Sequence, residues 1–190
     1  AVKLAALWLL ARRLPRYTMR DGIVLGATVG FGFAALESAG YAFNALFTDR
    51  GLSLLNLVET EVLRGILTPV GHGLWTAILG GALFGVAARR GRLGLSGALV
   101  GWYLLVAALH GLWDAAQPIA VWLTLLLTGT SAQWRLLHIG QVPAVTQAQV
   151  HWFTALYWGL LVLVAVVGLL VLRGRWHRAT ALDRQAEPQR

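Results

Sequence analysis

Apolar residues in this chain come in long runs, not in strict alternation, so the pattern predicts helices and no extended sheet. A helix needs about 20 mostly apolar residues to cross a bilayer. Four runs reach that length, 22–47, 65–88, 94–116 and 150–172, and each predicts a complete transmembrane helix. Residues 1–11 (AVKLAALWLLA) are apolar but too short to cross, and they lack the charged n-region and small-residue cleavage site of a signal peptide. They read as the tail of a helix whose start precedes Ala1. Residues 118–128 (PIAVWLTLLLT) are again too short to cross, which predicts a re-entrant or interfacial segment within 117–149. Leu52, Leu54, Leu55, Leu57, Val58 and Leu63 predict a short interfacial helix between the first two spans. The polar stretch after residue 179 is expected to be disordered. The fold class is therefore all-α: a polytopic membrane helix bundle with four complete transmembrane helices, an N-terminal partial helix and a re-entrant or interfacial segment. It divides into a membrane-embedded domain over 1–178, incomplete at its N-terminus, and a polar cytoplasmic tail over 179–190.

Composition narrows the function classes. Of 190 residues, 57% are hydrophobic and 13% charged, against about 25% charged in a soluble globule. The chain has no cysteine, which excludes disulfides, zinc–thiolate sites and cysteine nucleophiles. Sixteen Lys and Arg against eight Asp and Glu suggest a nucleic-acid binder until the positions are read. Twelve of them cluster beside apolar runs: Arg12, Arg13, Arg16 and Arg20; Arg89, Arg90 and Arg92; and Arg173, Arg175, Arg178, Arg184 and Arg190. That is the positive-inside pattern of a multi-pass protein of the cell membrane, with its C-terminus cytoplasmic. No cluster interleaves with exposed aromatics as strand-binding surfaces do, so the expected partner is the lipid bilayer and not nucleic acid. The loop with Asp49, Arg50, Glu59, Glu61 and Arg64 then lies outside, and Glu59 and Glu61 read as solvated. Trp residues near span ends, such as Trp8, Trp102 and Trp176, fit an aromatic belt.

Ionisable side chains at membrane depth are costly and mark functional sites. Four stand out: Glu37, His72, His110 and Asp114. Glu37 lies 15 residues past Gly22, His72 lies 16 before Ala88 and His110 lies 16 past Gly94, which places all three roughly 23–24 Å from the cytoplasmic ends of their helices. Asp114 shares a helix face with His110, one turn further out. Gly26, Gly30, Gly32 and Gly40 on one helix, and Gly71, Gly73, Gly80, Gly81 and Gly85 on the other, suit close helix approach. Each polar residue also has a plainer reading, as a hydrogen-bonding or packing group, but alignment at one level favours a shared site. His138, His151 and His177 lie outside that level and read as non-catalytic.

A carboxylate and two imidazoles facing a polar cavity suit hydrolysis, the carboxylate taking a proton from water and the imidazoles donating to a developing oxyanion. Glu37, His72 and His110 also make a valid catalytic zinc set. The residues alone leave both open: no cofactor is favoured, and zinc stays a candidate. There is no HExxH pattern.

The runs DGIVLGATVGFGFAALESAGY (21–41), RGILTPVGHGLWTAILGGALFG (64–85) and HGLWDAA (110–116) resemble the PrsW family of intramembrane proteases, distant relatives of CAAX prenyl proteases and bacteriocin-immunity membrane proteins. The resemblance implies that Glu37, His72 and His110 match the family's second-, third- and fourth-motif residues, with Asp114 closing the fourth. The second motif often reads Glu-Asn, where this chain has Ser38. The family opens with Glu-Glu-x-x-Lys, and Ala1-Val2-Lys3 resembles its last three residues, making Lys3 a motif remnant. The glutamate pair would precede Ala1, and the resemblance implies that pair as the source of the catalytic base. It thus favours a glutamic-type over a metallo-type peptidase, inactive as a fragment, acting on a membrane protein substrate such as an anti-sigma factor. Two other classes are weighed against it: a non-catalytic membrane protein of the same fold, of bacteriocin-immunity or peptide-binding type, and a proton or ion relay. A transporter would show repeat symmetry, which this sequence lacks.

Overall fold

The computed structural model describes residues 2–48 and 51–186; Ala1, Asp49, Arg50 and Arg190, named above, lie outside them. The described chain is helical almost throughout: α1 (Val2–Ala11), α2 (Met19–Leu46), α3 (Leu54–Leu67), α4 (His72–Arg90), α5 (Gly97–Asp114), α6 (Ala116–Thr128), α7 (Ser131–His138) and α8 (Gln147–Ala186). A two-residue hairpin, β1 (Phe47–Thr48) with β2 (Gly51–Leu52), joins α2 to α3. Among the described residues four segments are long and apolar enough to cross a membrane: Met19–Leu46, Leu54–Arg90, Gly97–Asp114 and Gln147–Gln185. The fold is the all-α polytopic membrane class expected from the apolar runs.

The chain forms two compact units, one of Ala1–Ala107 with Gly168–Arg190 and one of Ala108–Val167. The first is organised around α4, in which every residue from Gly73 to Ala87 is buried. Its partner is α2, and the seam between them is made by glycine. Gly22, Gly26 and Gly30 recur every fourth residue and so share one face. A Cβ on Gly22 would overlap the Gly80 carbonyl, on Gly26 the Thr76 carbonyl and on Gly30 the His72 carbonyl. The pairing runs 22 to 80, 26 to 76 and 30 to 72, so the helices are antiparallel with their backbones in contact. Ala34 and Ser38 continue the face, both buried. Gly32 and Gly40, expected to line it, have nothing within 4 Å of an added Cβ. Leu7, Ala11, Leu83, Phe84 and Leu99 close a core on another side of α4.

Three local features depart from the sequence pattern. The expected helix over 65–88 is interrupted: α3 stops at Leu67, a 3-10 turn covers Thr68–Val70, and α4 restarts at His72. Pro69 explains the break, because it removes a backbone N–H and biases its predecessor away from the helical region. Part of the stretch expected to be disordered is helical, since α8 continues to Ala186; residues 187–190 lie outside the described residues. Ala179 is fully buried with Met19, Ile23 and Ala77, and Asp183 Oδ2 lies 3.3 Å from Arg20 Nη1. Glu61, read as solvated, has Oε1 buried with no hydrogen-bond partner among the described residues.

In the second unit the short apolar piece is α6, 13 residues long. Thr130 and Gln133 form a capping box that starts α7. Gln133 and Gln149, both buried, exchange amide hydrogen bonds at 3.0 Å in each direction. Their spare groups reach the Ala144 and Thr128 carbonyls, so α7, the loop after it and the start of α8 are tied by one satisfied pair.

Candidate active site

The glycine seam sets what meets at its far end. Gly30 packs on His72 and Gly73, and Glu37 lies seven residues beyond Gly30, two turns along nearly the same face. His72 is the first residue of α4, released from α3 by the Pro69 break. The result is direct contact: His72 Nε2 lies 2.9 Å from Glu37 Oε2. Arg64, on the last turn of α3, donates from Nη2 to the same oxygen at 2.8 Å and from Nε to Ser38 Oγ at 2.8 Å. Lys3 of α1 bonds His72 Nδ1.

Four helices thus deliver Lys3, Glu37, Arg64 and His72 into one chain of contacts. A lysine ammonium has donors and no acceptor, so His72 Nδ1 accepts and Nε2 carries the proton that it gives to Glu37. Aromatic faces support the cations: Lys3 Nζ stands 4.3 Å from the Phe33 ring centroid and the Arg64 guanidinium 4.1 Å from that of Tyr41. The Thr76 hydroxyl donates to the His72 carbonyl at 2.8 Å and steadies the first turn of α4. Glu37 keeps about a third of its side chain accessible, and Oε1 accepts no hydrogen bond from the described residues. The site therefore holds a carboxylate with one oxygen anchored and one open.

His110 and Asp114 belong to the other unit. They face each other at 3.6 Å across one helical turn, long for a hydrogen bond, and Asp114 is largely exposed. Because α5 begins at Gly97 and not at Gly94, His110 sits 13 residues into its helix, roughly 20 Å along it.

Arg64 is the site residue that sequence reasoning missed. Its charge assigns it to the outer loop, although it opens the run RGILTPVGHG that carries His72. The signal available was its position four residues before Thr68, where the Thr-Pro break turns the chain toward His72.

The model of the PrsW family, described as intramembrane metalloprotease, matches residues 1–148. The chain belongs to the PrsW family. A PrsW relative, Protease PrsW of Geobacillus kaustophilus (strain HTA426), is 37% identical over 98 residues, covering 50% of this chain and 36% of that protein. The chain thus spans about a third of that relative's length. No solved structure matches.

The PrsW description implies a metal, and the residues present can be tested against one. A catalytic zinc takes three protein ligands. Glu37 and His72 offer two, and both already face cations, Arg64 and Lys3, whose charge opposes a divalent ion at that point. Among the described residues no group of three or more His, Asp or Glu gathers to hold a metal. The donor set of this unit does not fit zinc as it stands.

Proposed function

We propose that this chain forms the core of an intramembrane peptidase that hydrolyses a peptide bond of a membrane protein substrate, with Glu37 and His72 at the reacting centre. The observation that supports it most directly is the 2.9 Å contact between Glu37 and His72, joined by Arg64 and Lys3, among apolar spans where isolated charge is expensive. Glu37 Oε1 is the open position for a water, and the carboxylate takes the proton that water loses on attack. Arg64 and His72 are the donors nearest to the negative charge that develops on the scissile carbonyl. Lys3 fixes the His72 tautomer and is a positioning residue. His110 with Asp114 supplies a second imidazole–carboxylate pair whose role in the same reaction is part of the proposal. The Arg clusters orient the spans with the C-terminus in the cytoplasm.

In the full-length gene product, Glu37→Gln, His72→Ala and His110→Ala are each expected to abolish cleavage while leaving membrane insertion intact. Normal cleavage by all three would reject the assignment. Metal content and chelator sensitivity of the purified protein separate a carboxylate base from a metal: cleavage by metal-free protein supports the former. The alternative, a non-catalytic binding protein of this fold, draws on the fact that the anchored oxygen of Glu37 is already satisfied by two donors. It predicts substrate capture with no product, in wild type and in Glu37→Gln alike.

A further inference from the structure

At the other end of α4 lies a second polar feature that peptide hydrolysis does not use. A cavity of about 220 Å³ is lined by Met19, Gly85, Arg89, Trp102, Arg175 and Arg178 among others, all within the first unit. Arg175 is only 8% exposed, and its Nε has no hydrogen-bond partner. Its guanidinium lies over Trp102, 4.5 Å from the ring centroid, a cation–π contact that holds the group in place without using an N–H donor. An added Cβ at Gly81 or Gly85 would come to 3.7 Å from Nη2, so the group lies along the bare glycine face of α4. No ion pair among the described residues joins Arg89, Arg175 or Arg178 to a carboxylate; the nearby Asp183 is paired with Arg20. Burying one guanidinium beside two others without an anion is unfavourable. The arrangement calls for a negative ligand.

The position says which. Arg89 lies 17 residues from His72 along α4, roughly 26 Å, close to the full hydrocarbon thickness. The cavity is therefore level with the head groups on the side that the Arg clusters mark as cytoplasmic. Met19, Ala82 and Val86 add apolar lining beside the arginines, which suits a group that is half phosphate and half lipid. We propose that Arg89, Arg175 and Arg178 form a binding site for the head-group phosphate of an anionic phospholipid of the cytoplasmic leaflet. Bound there, the phosphate satisfies Arg175 and ties the ends of α2, α4 and α8 together.

The test uses the full chain purified in neutral detergent. Dioleoyl phosphatidylglycerol, dioleoyl phosphatidylcholine and inorganic phosphate are each titrated, with the unfolding midpoint and lipid retention in native mass spectrometry as readouts. Phosphatidylglycerol is expected to raise the midpoint and to be retained, while the other two do neither. The exposed double variant R89Q/R178Q is expected to weaken phosphatidylglycerol binding about fivefold per arginine, and R175Q to abolish retention. R12Q/R13Q removes equal charge from another basic cluster and should leave binding unchanged. Equal shifts with phosphatidylcholine would overturn the proposal. So would full competition by inorganic phosphate, which would mark a free-anion site, or equal weakening in R12Q/R13Q, which would mark diffuse surface charge. Should R175Q fail to fold, unchanged binding in R89Q/R178Q still refutes it.

Discussion

Gly26→Ala is the sharpest probe of how the site is built. The added methyl would stand 3.0 Å from Ala77 Cα and overlap the Thr76 carbonyl, both of them backbone atoms that cannot rotate away. Helices α2 and α4 must therefore separate. Overpacking of this kind costs about 1–3 kcal/mol. At about 2–4 °C per kcal/mol for a chain of this size, the unfolding midpoint should fall by about 2–12 °C. Gly32→Ala is the matched control, because an added Cβ there meets nothing within 4 Å. Removing that glycine should be neutral or stabilising by up to about 1 kcal/mol. The assay is thermal unfolding in detergent followed by tryptophan fluorescence, for which the chain has nine reporters. Because the seam ends at Gly30 and His72, the same separation should stretch the Glu37–His72 contact and lower cleavage in Gly26→Ala only. Equal midpoints for the two variants would refute the close-packed seam and with it the geometric basis of the site.

Other perturbations test separate parts. Arg64→Ala should reduce cleavage at least tenfold, with partial recovery in Arg64→Lys, which keeps the charge but not both hydrogen bonds; equal activity of all three would remove Arg64 from the site. Lys3→Met should change the pH profile of cleavage more than the substrate KM, since Lys3 acts through His72. Gln149→Leu removes both hydrogen bonds between the buried glutamines and the one to the Thr128 carbonyl and should cost about 1–3 kcal/mol, read as a lower unfolding midpoint with amide exchange rising first in 130–149. Pro69→Ala should lengthen helical protection across 67–72 in amide exchange and impair cleavage by shifting His72; unchanged exchange would show that the break has another cause.

The spans were legible because a bilayer imposes one simple requirement, apolar length, and 22–47, 94–116 and 150–172 meet it without ambiguity. Counting along a straight helix from a charged end puts Glu37 and His72 at one level. What it could not supply is rotation about the helix axis. Gly32 and Gly40 looked as useful as Gly26 and Gly30, and only the every-fourth-residue face through Gly22 and Ala34 distinguishes them. Arg64 was read by its charge, whereas its place depends on a proline break that turns α3 beside Ser38. The order in α8 past 179 rests on one small residue, Ala179, and an ion pair to Arg20 across 163 positions, which no local pattern reveals. The Gln133–Gln149 pair was missed for the same reason: two glutamines 16 apart carry no periodic signal.

The complete burial of α4 bears on biogenesis. A helix covered by protein from Gly73 to Ala87 has no stripe left for lipid, and it is rich in glycine. When it has been synthesised, α2 is already available to receive its glycine face, but Gly168, the residue that packs on Leu74 and Trp75, lies 78 residues beyond the end of α4 at Arg90 and has not yet been made. Until α8 arrives, that side of α4 has only acyl chains against it. Truncated or stalled nascent chains ending before α8 therefore display an unfinished surface, the kind of defect by which membrane quality-control proteases select what to destroy.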